Sequence, residues 1–229
     1  MEFEPIKTDR LYVKVAAQIS SLIESGQLDV GDRLPSERDL AEQLGVSRPT
    51  VREAMIALEL SGIIEIRTGA GIYVTEKQPE LSLKDRGIGP FEILESRQMI
   101  EVKACGLAAE RITDQQIAQL KVALTEMKEE QQSENASEQA DWKFHCIIAK
   151  ATQNTAMLTI INWLWELRNQ STLSTSFLET IRKEGVHPAL EEHQEILNAL
   201  EKRDPAAAEI AMAKHIENAT KAAATRFKD

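Results

Sequence analysis

The stretch LPSERDLAEQLGVSRPTVREAMIALELSGIIEIRTGAGIYV, residues 34–74, decides the fold of the N-terminal part of the chain. Ser36 stands three residues before Asp39, a capping-box-like start, and Gly45 supplies the stop of a short helix. Ser47 then caps a further helix. Its first turn tolerates Pro49, because the amides there have no intrahelical partner, and Gly62 ends it. Only a few residues separate the two helices, the spacing of a helix-turn-helix. Ile64 and Ile66 alternate with Glu65 and Arg67, and Gly69 to Gly71 turn the chain into Ile72, Tyr73 and Val74, the pattern of a two-stranded wing. Upstream, with Asp9 as N-cap, the residues Leu11, Val15, Ile19, Leu22 and Ile23 form one apolar helical stripe closed by Gly26, and Asp29 to Asp32 form a turn. This order predicts a winged helix-turn-helix over residues 1–76, with three helices and a two-stranded wing.

Downstream, EKQPELSLKDRGIGP (76–90) is polar, broken by proline and glycine, and has no apolar period, so a linker is expected at 77–88. From 89 to 229 every segment is helical in character. Boundaries are marked by Thr113, the polar stretch 131–137, Asn154, Gly185 and the pair Asp204-Pro205, an N-cap followed by proline at the first helical position. With no strand pattern there, the expectation is an antiparallel all-helical bundle and a mainly α chain.

A chain of 229 residues is long enough to bury two cores. No run approaches the roughly 18 apolar residues of a membrane span, and MEFEPIKTDR lacks the layout of a signal peptide. A cytoplasmic protein without membrane partners is expected. Cys105 and Cys146 stand outside any CxxC or Cys/His spacing, which excludes a disulfide framework and a zinc ribbon; both are expected reduced and buried. The net charge is −10, and residues 1–76 carry eight Lys/Arg against thirteen Asp/Glu, so the head is no general polycation. DNA binding must rest on a few placed arginines and on helix N-termini, whose free amides accept phosphates.

Arg48 and Arg52 lie four residues apart and share a face of the third helix, opposite Val51, Ala54 and Leu58. Arg38 and Arg67 extend the same basic surface, and guanidinium forks suit guanine edges and phosphates alike. Singly, each is equally well an ordinary solvated arginine. Residues 34–74 as a whole resemble the winged helix-turn-helix of the GntR superfamily. That resemblance implies DNA contacts from Arg38, Arg48 and Arg52, phosphate or base contacts from Ser47 and Thr50, and a minor-groove wing tip at Gly69, beside Thr68.

A second constellation lies in the helical part. Asp141 and His145 are one turn apart in ADWKFHCIIAKA, His193 sits in EEHQEILNAL and His215 in AMAKHIENA. One histidine alone is more often a packing residue, but a carboxylate and three imidazoles meeting from three helices suit a borderline divalent ion such as Zn²⁺ or Ni²⁺. The fourth, His187, precedes a proline and reads as a loop residue. The pattern over about residues 89–225 is similar to the FCD ligand-binding domain of the FadR subfamily. The resemblance implies metal ligation by Asp141, His145, His193 and His215, and binding of an effector carboxylate by Arg97 in ESRQMIE. Within the subfamily, GPFEILESRQMIE, ATQN and KRDPAAAEIAMAKHIEN resemble the hexuronate-utilisation repressors, which implies a sugar-acid effector. Arg168, in ELRNQS, is a candidate second pocket cation, weighed against a surface position on a long helix. The resulting expectation is a homodimeric, non-enzymatic repressor that binds operator DNA and responds to a carboxylated metabolite. The rivals are a metal-dependent hydrolase and a metal-sensing bundle carried on a DNA-binding module.

Overall fold

The computed structural model describes residues 10–75, 85–131, 138–187 and 189–227; the expected cap Asp9 and most of the expected linker lie outside them. The chain divides into two compact units. One comprises residues up to Glu92 together with Ser171–Phe177 and the chain from Ala224 onward, and the other comprises Ile93–Gln170 and Leu178–Ala223.

The first unit opens with α1 (Leu11–Glu24), α2 (Glu37–Leu44) and α3 (Arg48–Leu60), followed by β1 (Ile64–Arg67) and β2 (Gly71–Val74). On α1 the expected stripe holds at Val15 and Ile19 and departs at its first residue. Leu11 is 52% exposed, and Tyr12 takes its place beside Val15, Ala16 and Ile19. The larger aromatic surface is the one covered, and its hydroxyl stays satisfied, donating to Asp85 Oδ1 at 3.2 Å and accepting from Arg86 N at 2.8 Å. Ser36 caps α2 by accepting from Asp39 N, and Gly45 closes it in the left-handed region at φ 65°. Ser47 caps α3 through Thr50 N. Val51, Ala54, Met55 and Leu58 on α3 are almost fully buried, each large apolar side chain contributing about 1.5–3 kcal/mol.

The wing is antiparallel, with Ile64 opposite Val74 and Ile66 opposite Ile72. The segment read as a turn at 29–32 runs on into further pairing with β2, through Leu34 N to Ile72 O at 2.8 Å and Gly31 N to Val74 O at 3.0 Å. Beyond the wing, the aromatic rings of Phe91, Phe177 and Phe227 pack together, with centroids 5.6 to 6.2 Å apart. Arg226 donates to Glu59 at 3.0 Å, and Glu59 also accepts from Ile66 N, so the end of α3, the wing and the C-terminal residues are held at one carboxylate.

The remaining helices are α4 (Pro90–Arg111), α5 (Asp114–Glu130), α6 (Gln139–Ala151), α7 (Thr155–Gln170), α8 (Thr172–Lys183), α9 (Leu190–Glu201) and α10 (Pro205–Ala224). Several of their starts, those of α5, α7, α8 and α10, follow side-chain capping. Thr113 and Gln116 form a reciprocal capping box. Asn154 Oδ1 accepts from Ala156 N and Met157 N. Asp204 Oδ1 accepts from Ala207 N. The break between α7 and α8 was not anticipated; there the buried Ser171 accepts from Ser174 N at 3.3 Å. The core of the second unit includes Phe144, Ile148, Ile196, Leu200, Met212 and Ile216. Both cysteines are free and buried. Among the described residues no helix is long and apolar enough to cross a membrane.

Candidate functional site

On the head, Arg38, Ser47, Arg48, Arg67, Thr68 and Gly69 are exposed. Gly69 has φ 74°, a backbone state that suits glycine at the tip of the wing. Arg67 donates to Glu65 at 2.7 Å and lies over the Tyr73 ring. Thr50 is buried, its hydroxyl 2.8 Å from Ser47 Oγ. The two arginines of α3 diverge in surroundings. Arg48 is 59% exposed and Arg52 only 11%, although both bind the buried carboxylate of Glu37. Arg52 donates twice to Glu37, at 2.5 and 3.0 Å, and stacks over Phe91 at 4.7 Å. Arg48 is thus the freer of the pair for a phosphate or a base edge.

In the second unit, α6 carries Asp141 and His145 one turn apart, α9 carries His193 and α10 carries His215; one donor atom from each lies within 4.8 Å of all the others. The outward nitrogen of every ring faces an oxygen. His193 Nδ1 lies 2.8 Å from the Ala189 carbonyl, and His215 Nδ1 lies 3.0 Å from Glu192 Oε2. His145 Nδ1 is 2.5 Å from Glu101 Oε2, in ion contact but off the N–H direction of a proper hydrogen bond. The Nε2 atoms turn inward, to 2.9 Å from Asp141 Oδ1 for His193 and 3.5 Å for His145.

These contacts test whether a cation fits. A carbonyl can only accept, so His193 must carry its proton on Nδ1, and the neutral ring then presents a lone pair at Nε2 to an Asp141 oxygen 2.9 Å away. Two acceptors face each other unless the ring is protonated or a cation lies among them. Histidine donors with the second nitrogen held by a carboxylate or a carbonyl form the usual outer support of a metal site, and three nitrogens with one oxygen suit Zn²⁺ or Ni²⁺. The residues fit the group.

The ionisation of the cluster follows from the same geometry. Burial works to raise the Asp141 carboxyl, but without a cation in the cluster the His145 and His193 rings, when protonated, donate to it and outweigh burial, holding the group well below the ordinary range. Burial likewise opposes ionisation of Glu101, yet Arg97 and His145 bring it down to about 2. His145 is raised despite its burial, through Glu101 and Asp141. Burial dominates at His215 and lowers it to about 4.

Arg97 lies beside this cluster, as expected, but its guanidinium is already engaged. Nε donates to Glu101 Oε1 at 2.7 Å, the terminal nitrogen reaches Oε2 at 3.4 Å, and the group lies 4.3 Å over the Trp165 ring. Arg168 lies over the same ring at 4.9 Å and is ion-paired with Glu138, to which Arg182 Nε also donates at 2.7 Å. The sequence reading did not single out Glu101, Glu138, Trp165, Arg182 or Glu192. A one-turn offset from Arg97 was available for Glu101, and adjacency to His193 for Glu192. His187 is exposed and lies outside the helices.

A winged helix-turn-helix head joined to an all-helical domain with a buried donor cluster defines the class, a DNA-binding transcriptional regulator. Residues 11–74 match the bacterial regulatory proteins of the gntR family, and residues 92–218 match the FCD domain. The chain belongs to the gntR family, in the branch that carries an FCD domain. It is 37% identical over 217 residues to the Exu regulon transcriptional regulator of Escherichia coli (strain K12), covering 91% of this chain and 83% of that protein. It is 36% identical over 224 residues to the Uxu operon transcriptional regulator of the same organism, covering 91% and 85%. The solved structure of Streptococcus agalactiae GntR is 30% identical, with a TM-score of 0.47 over 92% of this chain and 99% of that one. The curated relatives are transcriptional regulators rather than enzymes, which sets the hydrolase alternative aside.

Proposed function

We propose that the protein is a cytoplasmic, homodimeric repressor of a hexuronate catabolic operon whose effector, a sugar acid, binds through its carboxylate at a divalent-metal site in the helical domain. The convergence of one nitrogen from each of three histidines with an Asp141 oxygen, the His193 and His215 rings also held through Nδ1, carries this reading. Asp141, His145, His193 and His215 would hold the ion, which supplies a Lewis-acidic centre for ligand oxygens. Charge supports a carboxylate as the ligand. Around the site Arg97, Arg168 and Arg182 face Glu101, Glu138, Asp141 and Glu192, leaving one negative charge with neutral histidines. A divalent cation turns that into one positive charge, the complement of a monocarboxylate.

On DNA, a dimer would place two copies of α3 in successive major grooves of a pseudo-palindromic operator, with Arg38 and Arg48 at the bases or phosphates and the wing tip at Thr68 and Gly69 toward the minor groove. Effector binding would shift operator affinity by about 1–3 kcal/mol. The test is an operator-binding titration of Zn²⁺- or Ni²⁺-loaded protein, with and without galacturonate and glucuronate, beside calorimetry of the same ligands. The expected result is ligand binding that requires metal and weakens operator binding. Operator release by metal alone, with no effect of any acid, would replace this reading with a metal sensor.

A further inference from the structure

None of Arg97, Glu101, Glu138, Asp141, His145, His193 and His215 is more than 8% exposed, so a ligand entering among them must displace something already there. Arg97 is poorly placed to yield, because both of its contacts with Glu101 also position His145 through the second carboxylate oxygen. Glu138 differs. It occupies the N-cap position of α6 without capping it, and the amide of Ala140 is instead satisfied by Glu130 Oε2 at 3.2 Å. Its backbone is left-handed at φ 54°, uncommon for a residue with a side chain. Its carboxylate is turned inward to Arg168 and Arg182, so that two guanidiniums share one carboxylate. Arg168 lies over the Trp165 ring, whose centroid is 5.5 Å from that of His145, which joins this fork to the histidine cluster. The indole nitrogen of Trp165 is buried without a hydrogen-bond partner, a donor open to a ligand oxygen.

We propose that Arg168 and Arg182 form the carboxylate-binding fork of the effector pocket, and that Glu138 occupies this fork as an internal competitor until a hydroxy or keto acid displaces it. This rests on the ligand-binding reading above and refines it by seating the carboxylate on the Arg168–Arg182 pair rather than on the metal or Arg97. Planar forks take a carboxylate in either of two forms, one tethered and one free. A resident competitor lowers the apparent affinity of the free form by the fraction of time the fork is taken. The ligand's remaining oxygens are left for the metal locus and the Trp165 N–H.

The test is calorimetry of Ni²⁺-loaded protein with galacturonate, and with galactose as a probe lacking the carboxylate, in the wild type, Glu138→Gln, Arg182→Gln and Glu179→Gln. Glu179 is exposed and contributes to the field at Arg182 without touching the fork, so its variant controls for general charge. Glu138→Gln is expected to tighten galacturonate binding about tenfold, Arg182→Gln to weaken it by a similar factor, and Glu179→Gln to change it by less than about twofold. Nickel affinity and galactose binding should stay unchanged in all variants. A merely structural ion pair would weaken binding and lower thermal stability in both fork variants, and that result would overturn the proposal. Equal tightening in Glu179→Gln would overturn it as well. If loaded wild-type protein binds no galacturonate, the effector reading itself falls and takes this refinement with it. If it binds and Glu138→Gln binds no better, only the competitor falls.

Discussion

In protein stripped of metal by a chelator, lowering the pH from 6.5 to 4.5 should destabilise the helical domain through one side chain, His215. Its folded-state value of about 4 lies below the 6.5 of the free side chain, because burial penalises the charged ring. Between those values the unfolded chain binds a proton that the folded chain refuses, so stability falls as pH falls. Two pH units across that window, at 1.36 kcal/mol each, correspond to about 3 kcal/mol. Other shifted groups act outside it. His145 is raised, so its stabilisation is complete below the free-imidazole value and is lost only as pH rises through its folded value. Asp141, Glu101 and Glu192 are lowered, so their contribution is lost only as acid approaches and passes the ordinary carboxylate range. Urea denaturation at several pH values should show this slope in the wild type and its loss in His215→Asn. An equal slope in both proteins would refute the assignment.

Replacing His193 by alanine should lower nickel or zinc affinity at least about a hundredfold, read from the metal content of dialysed protein; unchanged content would remove the ligand role. Arg48→Ala should weaken binding to an operator fragment by about 1–3 kcal/mol in fluorescence anisotropy while leaving the melting temperature nearly unchanged. Arg52→Ala should instead destabilise the head by about 2–3 kcal/mol in a thermal melt, since Glu37 stays buried with one partner lost and Phe91 loses its stacked cation. At Gly89 a Cβ would collide with the side chain of Glu53, so Gly89→Ala should cost about 1–3 kcal/mol; an unchanged melt would show that Glu53 gives way freely.

Much of the fold could be read from residues that act locally. Ser36, Ser47, Thr113, Asn154 and Asp204 all cap the helices they precede, because a short polar side chain reaches its own first-turn amides whatever surrounds it. The histidine cluster was legible for a related reason, since a one-turn spacing and separate amphipathic helices limit where imidazoles can point. What escaped were relations between distant segments. That Tyr12 rather than Leu11 is covered at the start of α1 goes with the partners of its hydroxyl at residues 85 and 86. The pairing of Glu138 with Arg168 and Arg182 ties the residue before α6 to α7 and α8, and no periodicity announces it. The enclosure of Arg52 by Glu37 and Phe91 likewise depends on residues distant in sequence.

The compact unit containing the winged head closes with Phe227 among Phe91 and Phe177 and with Arg226 on Glu59. Distant stretches of the chain thus close one cluster within this unit. A substitution that shrinks Phe177 or Phe227 should therefore loosen the unit that carries the wing, although neither residue belongs to the helix-turn-helix or to the wing itself.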